Sequence, residues 1–390
     1  MRTFRYRGRV LTPVHVGTGE TIDPLEYVVK DGKLVRFSSP AVIADLPPAE
    51  RERLERMLAS GQIKDLHVFF KNHVDPERHA VAVAEADPSV VREFETKCSN
   101  PANELKVRPM IRNAHAGRPY LPGSSVKGAI RTAVVSSIVN GEKKADFEQY
   151  LASQGQVDSD GAKARRLQET ALGFTAQSLE RDPFRLVKVA DALLPAGCTR
   201  VDRVFNVKPS RQQDMPVDMW ERVLCAAEGR PTEFTIEVSL DERAMQHPKT
   251  RQHLGRALSW EEIAGACNAF YFRRLTQEVK RFYSNPATGQ PTRTGAAVYN
   301  LLATQTPEGK KKVAPPRAPD LLLRVGRFSH FESLSVDTFR QGWNARARRT
   351  ISEGTTRNLA SIHHKARRSD GTVVDDELRL PFGWILLELA

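Results

Sequence analysis

Residues 118–141 read RPYLPGSSVKGAIRTAVVSSIVNG, and this stretch carries the clearest structural pattern in the chain. The tripeptide Pro122-Gly123-Ser124 predicts a turn, because proline and glycine both favour turn backbone. A helix is predicted to begin near Val126, with the hydroxyl of Ser124 or Ser125 accepting from the unpaired first-turn amides. Apolar residues at a spacing of four predict its buried face, which holds Val126, Ile130, Val134 and Ile138.

The segments before this helix favour strands. Residues 4–16, FRYRGRVLTPVHV, alternate basic and apolar side chains at first, which is typical of a half-buried strand. A glycine-bearing turn follows at 17–21, and residues 25–37 predict a hairpin around Asp31-Gly32. Residues 48–61 predict a helix that ends at a glycine. Residues 71–119 and 142–180 have weaker patterns, and we expect them to be insertions, the first partly extended and the second helical.

The segments after it alternate between strands and helices. Residues 234–240, FTIEVSL, predict a strand, and residues 260–283 predict a long helix with a capping box of Ser259 and Glu262. Residues 285–319 are rich in turn-forming residues and predict a loop. Residues 321–336, LLLRVGRFSHFESLSV, predict a strand, a glycine turn and a short helix. The run WILLEL at 384–389 predicts a buried strand.

The net charge of the chain indicates a polyanionic partner. In 390 residues, 59 lysines and arginines outnumber 47 acids, which gives a net charge of +12 and a pI near 9.6. Such a balance favours nucleic acid as the partner. The excess is concentrated at Lys106–Arg131 and Arg340–Arg368. The length predicts two domains, which we expect at 1–200 and 201–390.

Several classes of site and location are disfavoured by the sequence. The cysteines Cys98, Cys198, Cys225 and Cys267 have no CxxC spacing, so we expect neither a zinc site nor a disulfide framework. We expect no metal, no cofactor and no membrane span, and we expect a cytoplasmic location. Dinucleotide, phosphate-loop and hydrolase motifs are absent from the sequence, as is a helix-turn-helix pattern.

Two regions are predicted to bind a ribose-phosphate strand. Glycine lets the backbone approach phosphates closely, and a helix start adds amides and partial positive charge. Bases can stack on Phe, His and Arg side chains, while Arg also pairs with phosphates. The first region comprises His15, Gly17, Thr18, Gly19, Ser124, Ser125, Lys127 and Arg131, and the second comprises Arg324, Gly326, Arg327, His330 and Phe331.

A catalytic role is the alternative for two residues in the first half. His15 could act as general base on a ribose 2′-hydroxyl, with Lys127 or Arg131 as the phosphate cation. Asp23 could bind a divalent ion or position a 2′-hydroxyl, or it could be an ordinary turn aspartate before a proline. We expect the chain not to be an enzyme and keep metal-dependent or metal-free cleavage of RNA as the second hypothesis.

Five motifs resemble the RAMP superfamily proteins of type III CRISPR–Cas systems, and most closely the fifth Csm subunits of type III-A effectors. They occur in order along nearly the whole chain. They are Leu11–Gly19 with Asp23–Tyr27, Pro122–Arg131, Asp182–Arg185 with Asp191, Leu323–Phe328 and Leu380–Trp384.

The resemblance implies an α+β protein with two ferredoxin-like (RRM-like) domains that carry helical and loop insertions. It implies a non-catalytic subunit that binds the guide RNA (crRNA) and caps the 3′ side of the effector backbone, with a role in crRNA maturation and complex assembly in antiviral defence. The implied partners are the repeating RAMP backbone subunit and the small helical subunit, with target RNA and host nucleases in addition. Two departures stand out: the turn at Gly326 has a single glycine, and Asp23 matches in place an aspartate that cleaves target RNA in the repeating subunit.

Overall fold

The fold is that of a mixed α/β protein, described here from a computed structural model. The structure describes residues 1–61, 63–97, 105–153, 159–209, 215–229, 231–305, 311–344, 348–367 and 372–390. This confirms the α+β character that the sequence predicts. Within these ranges, none of the helices has the length and apolar character that crossing a bilayer requires.

Strands and helices are interspersed along the described residues. The strands are β1 (Arg2–Val10), β2 (Tyr27–Lys30), β3 (Lys33–Phe37), β4 (Ala80–Ala86), β5 (Val107–Arg108), β6 (Tyr120–Leu121), β7 (Val187–Val189), β8 (Ala192–Leu193), β9 (Thr199–Val207), β10 (Met215–Val223), β11 (Glu233–Leu240), β12 (Ala303–Gln305), β13 (Lys311–Val313), β14 (Leu321–Arg324), β15 (Gly342–Asn344), β16 (Arg349–Ile351), β17 (Arg357–Arg367), β18 (Val373–Pro381) and β19 (Trp384–Leu389).

The helices are α1 (Ser39–Asp45), α2 (Pro48–Ser60), α3 (Ile63–His73), α4 (Pro76–His79), α5 (Pro88–Lys97), α6 (Gly123–Asn140), α7 (Lys144–Ser153), α8 (Asp160–Leu172), α9 (Glu242–Gln246), α10 (Pro248–His253), α11 (Trp260–Phe282), α12 (Arg293–Asn300) and α13 (His330–Ser333). Short 3-10 helices cover Pro24–Glu26, Leu179–Arg181, Pro183–Leu186 and Ala226–Glu228.

The first sheet joins the two ends of the chain. Its order is β14-β19-β1-β11-β7, and every neighbouring pair is antiparallel. Phe4, Tyr6 and Val10 of β1 are buried, whereas the alternating Arg5 and Arg7 are exposed. This period of two is the pattern of a sheet with one face on the core and one in water.

Helices α6 and α11 cover the buried face of this sheet. Their apolar side chains and those of the sheet form one continuous core cluster. The Tyr271 hydroxyl of α11 donates to the Ala129 carbonyl of α6 at 3.0 Å, and the Trp260 indole donates to the Tyr6 hydroxyl at 2.9 Å. The two helices are therefore fixed to one another and to β1 by buried polar contacts as well as by packing.

The second sheet is larger and has two covered regions. Its order is β18-β17-β9-β4-β3-β2, with β10 paired to β9 and β5 paired to β10. Val29 and Leu34 pack in one cluster with Phe94 of α5, while Val28 and Val35 pack in another with side chains of α1, α2 and α3. Neighbouring strand residues thus serve opposite faces, which is why β2 and β3 read as continuous apolar runs.

Several elements follow the sequence prediction. Asp31 and Gly32 have φ of 49° and 69°, as the turn of the β2–β3 hairpin requires. Gly61 ends α2 in the left-handed conformation, and its amide donates to the Leu58 carbonyl. The capping box at Ser259 and Glu262 begins α11. The strands at 234–240, 321–324 and 384–389 and the helical character of 142–180 are also present.

Other expectations were wrong or incomplete. Residues 285–319 are not only loop, because they contain α12 and the β12–β13 hairpin. In the described part of 71–119, helices α4 and α5 accompany the expected extended segments. Strands from both sides of residue 200 share each of the two large sheets, so these sheets do not divide the chain there. Turn-rich composition and chain length do not report which strands pair, and that pairing decides these features.

We expect Ile130→Ala to destabilise the protein by about 2–5 kcal/mol, because it removes a buried side chain from the α6 face. Ile130 is 0% exposed, and Val126 and Val134 belong to the same core cluster. Chemical denaturation would measure the change in the free energy of unfolding.

The matched control is Gly128→Ala, in the same helix. A Cβ there meets no atom within 4 Å, so the substitution should be neutral or stabilise α6 by up to about 1 kcal/mol. Equal denaturation midpoints for Ile130→Ala and wild type would contradict the assignment of this face to the core.

Candidate nucleic-acid interface

One cleft brings together three segments that are far apart in sequence. Its volume is about 540 Å³. The walls are the loop that follows β1, the first turns of α6 and the turn that follows β14, and the lining includes His15, Gly17, Gly19, Arg108, Ser124, Ser125, Gly128, Trp220, Arg324, Gly326 and Arg327. Most of both predicted regions therefore lies on a single surface.

Gly326 makes the closest approach between these segments possible. It has φ of +90°, and a Cβ at this position would lie 2.4 Å from the His15 carbonyl oxygen. The next amide, that of Arg327, donates to the same carbonyl at 2.9 Å. Only glycine combines this backbone conformation with so short an approach, so the single glycine of this turn has a structural reason.

The loop after β1 is exposed where its glycines lie. Gly17, Thr18, Gly19 and Glu20 are exposed, and Gly19 has φ of +92° with open space around its Cα. Thr18 accepts a hydrogen bond from the Glu20 amide at 3.3 Å. Exposed turns of this kind, rich in glycine, can present backbone amides to anions.

The start of α6 differs from the prediction. Neither Ser124 nor Ser125 caps the helix: its first amide, that of Gly123, donates to the Asp191 carboxylate at 2.7 Å. A Cβ on Gly123 would lie 2.2 Å from the Val189 carbonyl oxygen, so the turn packs directly on the end of β7. The capping group was missed because it comes from another element 68 residues away. Ser124 and Ser125 instead line the cleft.

A cationic group flanks the first turns of α6. Burial lowers the pKa of Lys127, and the neighbouring charges of Lys188 and Arg131 lower it further, while Asp182 opposes them. Within the described residues, Lys127 and Lys188 form no ion pairs. Arg131 is engaged, because it donates to Asp182 and to Gln168 at 2.8 Å each. Lys127 and Lys188 are thus open to an external anion, whereas Arg131 is held in the fold.

The turn after β14 contains one open cation and one buried cation. The Arg327 side chain is exposed and forms no ion pair among the described residues. Arg324 is 1% exposed and pairs with Glu278, and its Nε donates to the Phe382 carbonyl at 2.9 Å. The sequence grouped the two arginines, but Arg324 is the last residue of β14 and is paired in the interior, whereas Arg327 lies in the turn and is exposed.

Buried ionic groups fix α13 beneath this turn. Glu278 also contacts Arg357 at 3.3 Å, and Arg357 pairs with Glu332 of α13 at 3.0 Å. Burial next to Arg324 lowers the pKa of His330 to about 3. His330 has φ of +61°, and Phe331 is partly buried beside Gly342. His330 and Phe331 are placed to support the turn rather than to line the cleft.

His15 lies in the floor of the cleft and is 2% exposed. Its Nδ1 donates to the Glu221 carbonyl at 2.6 Å, since a carbonyl can only accept, and its ring meets Trp220 edge-on at 4.7 Å. Burial lowers the pKa of His15 to about 4, with Arg327 and Arg108 adding to the effect. The unprotonated Nε2 is covered by Gly17, where a Cβ would lie only 2.6 Å away.

The sequence missed several residues of this surface. Arg108 lines the cleft with its guanidinium 5.2 Å from the Trp220 ring centre and its Nε 3.1 Å from Asp218. Its place in the acid-free stretch 106–131 was the available signal. Trp220 lines the same cleft and was also missed.

Arg346 and Arg368 of the second basic segment, and Cys98, lie outside the described residues.

Asp23 lies outside the cleft lining. Its side chain is exposed, and its amide donates to the Glu26 carboxylate at 2.8 Å at the start of a 3-10 helix. In the described ranges, no group of three or more His, Cys, Asp or Glu side chains is arranged to hold a metal ion. His67, His73 and His79 are separately engaged with Phe94, the Phe69 carbonyl and Asp45.

We expect Gly326→Ala to separate the turn from the loop after β1. The added Cβ cannot keep both the left-handed backbone and the close contact with the His15 carbonyl, so one of them must change. We expect this to lower the free energy of unfolding by about 1–3 kcal/mol. Denaturant unfolding would measure this cost. Gly229→Ala is the control for backbone strain alone, because Gly229 has φ of +71° but open space around it. If both variants lost the same stability, the close contact with His15 would make no separate contribution to the free energy of unfolding.

Stability should fall in mild acid because His15 is buried in its neutral form. His15 takes up a proton near pH 6.5 in the unfolded state and only near pH 4 in the folded state. The contribution of neutral His15 to stability is therefore complete above pH 6.5 and is lost as the pH falls toward 4. The loss at pH 5 should be about 2 kcal/mol. His15→Asn keeps a donor toward Glu221 and should reduce the fall between pH 7 and pH 5 by this amount in urea titrations. Parallel pH profiles for the two proteins would rule the interpretation out.

A model of one protein family matches residues 8–284, and its description is the RAMP superfamily. Among curated proteins, the chain is 26% identical over 237 residues to the CRISPR system Cms protein Csm5 of Mycobacterium tuberculosis, covering 54% of this chain and 61% of that protein. It is 25% identical over 222 residues to the Csm5 of Methanocaldococcus jannaschii, covering 56% and 49%. The match thus spans about half to three fifths of the length of these relatives.

Two solved structures share the fold. A chain of the cryo-EM structure of a Csm–crRNA–target RNA ternary complex from a type III-A CRISPR–Cas system superposes with a TM-score of 0.65 at 18% identity, covering 99% of this chain and all of that one. The crystal structure of T. onnurineus Csm5 superposes with a TM-score of 0.60 at 16% identity, covering 97% and 99%. The family model and the curated relatives confirm the family predicted from the five motifs. Since the family model spans well over half of its length, the chain belongs to the RAMP superfamily.

Proposed function

We propose that this chain is an RNA-binding subunit of a type III CRISPR effector complex and that its cleft holds the guide RNA. The observation that carries the proposal is the convergence of the glycine loop, the start of α6 and the Gly326 turn on one cleft. These three segments are the ones whose chemistry suits a ribose-phosphate strand. The Csm5 relatives and the similarity to a chain of a Csm–crRNA–target RNA complex support the assignment.

The cleft favours backbone contacts over base recognition. Its lining includes the glycines of the loop after β1, the hydroxyl-bearing Ser124 and Ser125, and the cations Arg108 and Arg327. Groups of this kind bind phosphates and ribose and carry little sequence information. Lys127 and Lys188 extend the positive potential beside the cleft. The subunit should therefore bind guides of any spacer sequence, as an effector with many different guides requires.

The element order supports one ferredoxin-like unit. β1, α6, β7, β11 and α11 follow the strand-helix-strand-strand-helix order of that fold, and the final strand β19 lies antiparallel beside β1. The unit takes its strands from both ends of the chain rather than from residues 1–200. A second such unit stays a prediction.

The finer role follows from the family and remains part of the proposal. The subunit would cap the 3′ side of the effector backbone, next to the repeating RAMP subunit and the small helical subunit, and contribute to crRNA maturation and assembly in antiviral defence. Target RNA and host nucleases would be further partners. The buried free thiols of Cys198, Cys225 and Cys267 are consistent with work in the reducing cytoplasm.

We propose binding without cleavage. A general base must come within hydrogen-bond reach of the hydroxyl that it deprotonates. His15 is held at Nδ1 by Glu221 and covered at Nε2 by Gly17, so its ring is placed to support the loop. The hypothesis of a ribonuclease that uses Asp23 is kept for direct test, because this carboxylate is exposed.

Replacing the open cations should weaken RNA binding for all sequences alike. We expect Lys127→Ala and Arg327→Ala each to lower affinity for a labelled guide RNA and to reduce the slope of log K against log salt by about 0.7, one phosphate contact on a single strand. Fluorescence anisotropy over a salt series measures both quantities.

Lys249→Ala and Arg317→Ala are the charge-matched controls, because both side chains are exposed and neither lines the cleft nor belongs to α6. They should leave the salt slope close to that of wild type. If all four variants lost affinity equally, binding would reflect net charge alone and the proposed cleft would be wrong.

Purified protein mixed with guide and complementary RNA should leave both strands intact, with or without Mg²⁺. Denaturing gels measure this directly. Cleavage by wild type that disappears in Asp23→Ala would overturn the non-catalytic proposal and favour the ribonuclease. Binding in the same samples checks that the protein is active.

A further inference from the structure

A second concavity adjoins the cleft on its α6 side. It lies between α6, α7, α8 and the segment 334–341, and its volume is about 490 Å³. We call it the α7–α8 groove. Its size falls within the roughly 300–1,000 Å³ range of small-ligand sites. Of the residues predicted to bind RNA, Arg131 lines this groove, but it is paired with Asp182 and Gln168, and the proposed phosphate contacts do not account for the groove.

The floor of the groove is apolar and partly aromatic. Val135 of α6, Leu151 of α7 and Leu167 of α8 contribute aliphatic side chains. Phe147 and Phe339 meet edge to face with ring centres 4.7 Å apart, which fixes both rings. A flat apolar ligand would therefore meet a preformed surface, and binding would cost little side-chain entropy.

The rim of the groove is polar. Lys163 and Asp160 of α8 stand on one side, and Thr338 and Gln341 on the other. Gln168 accepts from Arg131 through its carbonyl oxygen at 2.8 Å, which orients its amide group. Lys163 forms no ion pair in the described part of the chain. Donors and acceptors around an apolar floor suit a ring with polar edges.

The groove and the cleft are continuous. Gly128, Thr132 and Leu334 line both of them. Gly128 has no side chain at this boundary, and a Cβ there would meet no atom within 4 Å. Leu334 is 63% exposed at the same boundary. A strand whose backbone lies in the cleft could thus direct one base over α6 into the groove.

We propose that the α7–α8 groove binds a nucleobase of the RNA strand whose backbone occupies the cleft. This inference rests on the proposed function and adds a base-binding site to it. The nucleobase is favoured over a protein segment because the groove is a compact cavity with a mixed apolar and polar lining and opens directly onto the cationic cleft. Stacking and apolar contact with bases tolerate any sequence, which agrees with a subunit that holds varied guides.

The test compares an oligouridylate with an abasic ribose-phosphate oligomer of the same length. Ala164 lines the groove on the exposed side of α8, so Ala164→Trp should fill it. Ala152 is exposed on α7 and does not line the groove, so Ala152→Trp is the matched control. Affinities are measured by fluorescence anisotropy at one low salt concentration.

Wild type and Ala152→Trp should prefer the oligomer with bases by about 5-fold or more, the effect of one base contact. Ala164→Trp should lose this roughly 5-fold preference for the oligomer with bases and keep its affinity for the abasic oligomer. In wild type, 4-thiouridine in the RNA should cross-link to groove residues such as Phe339 or Leu334.

Two outcomes would overturn the inference and can be told apart from failure of the proposed function. If Ala164→Trp kept the full preference for bases, or if cross-links formed only outside the groove, the base site would be wrong while RNA binding stood. If neither oligomer bound wild type at low salt, the proposed RNA-binding function itself would fail.

Discussion

The fold depends on the pairing of its first strand with its last. β1 pairs with β19 from Tyr6↔Leu389 to Val10↔Ile385, and the Trp384 amide beyond this ladder donates to the Thr12 hydroxyl at 3.0 Å. Because β14 pairs with the other edge of β19, the turn after β14 is brought next to the loop after β1. Without this closure between chain ends, the two loops would have no fixed relation and the cleft would lose the wall that the turn after β14 forms.

Glycines decide how close these walls approach. Gly326 lies against the His15 carbonyl, Gly17 against the His15 ring and Gly123 against the backbone at the end of β7. Each of these contacts would be lost with any side chain, so the glycines act here as packing residues.

Buried ion pairs fix the turn after β14, and the residues that form them are distinct from the charged residues that face solvent. Arg324 and Arg357 meet Glu278, and Arg357 also reaches Glu332, all within the interior. Removing one partner of such a group leaves an uncompensated charge, which is costly in a low-dielectric interior. Arg327, three residues after Arg324, is instead exposed to solvent. A count of basic residues in this segment therefore overstates the charge that is available to a ligand.

The sequence by itself determined the secondary structure wherever the cause is local. The α6 face at Val126 and Ile130, the Asp31-Gly32 hairpin and the Ser259 capping box depend on neighbours a few residues apart, so periodicity and turn chemistry sufficed. The motifs also determined the family. Only the tertiary structure decided that Asp191 caps α6, that Arg131 and Arg324 are engaged internally and that strands from both chain halves share the two large sheets. These features depend on contacts between residues tens to hundreds of positions apart, and no local pattern in the chain encodes which distant partner a side chain will meet.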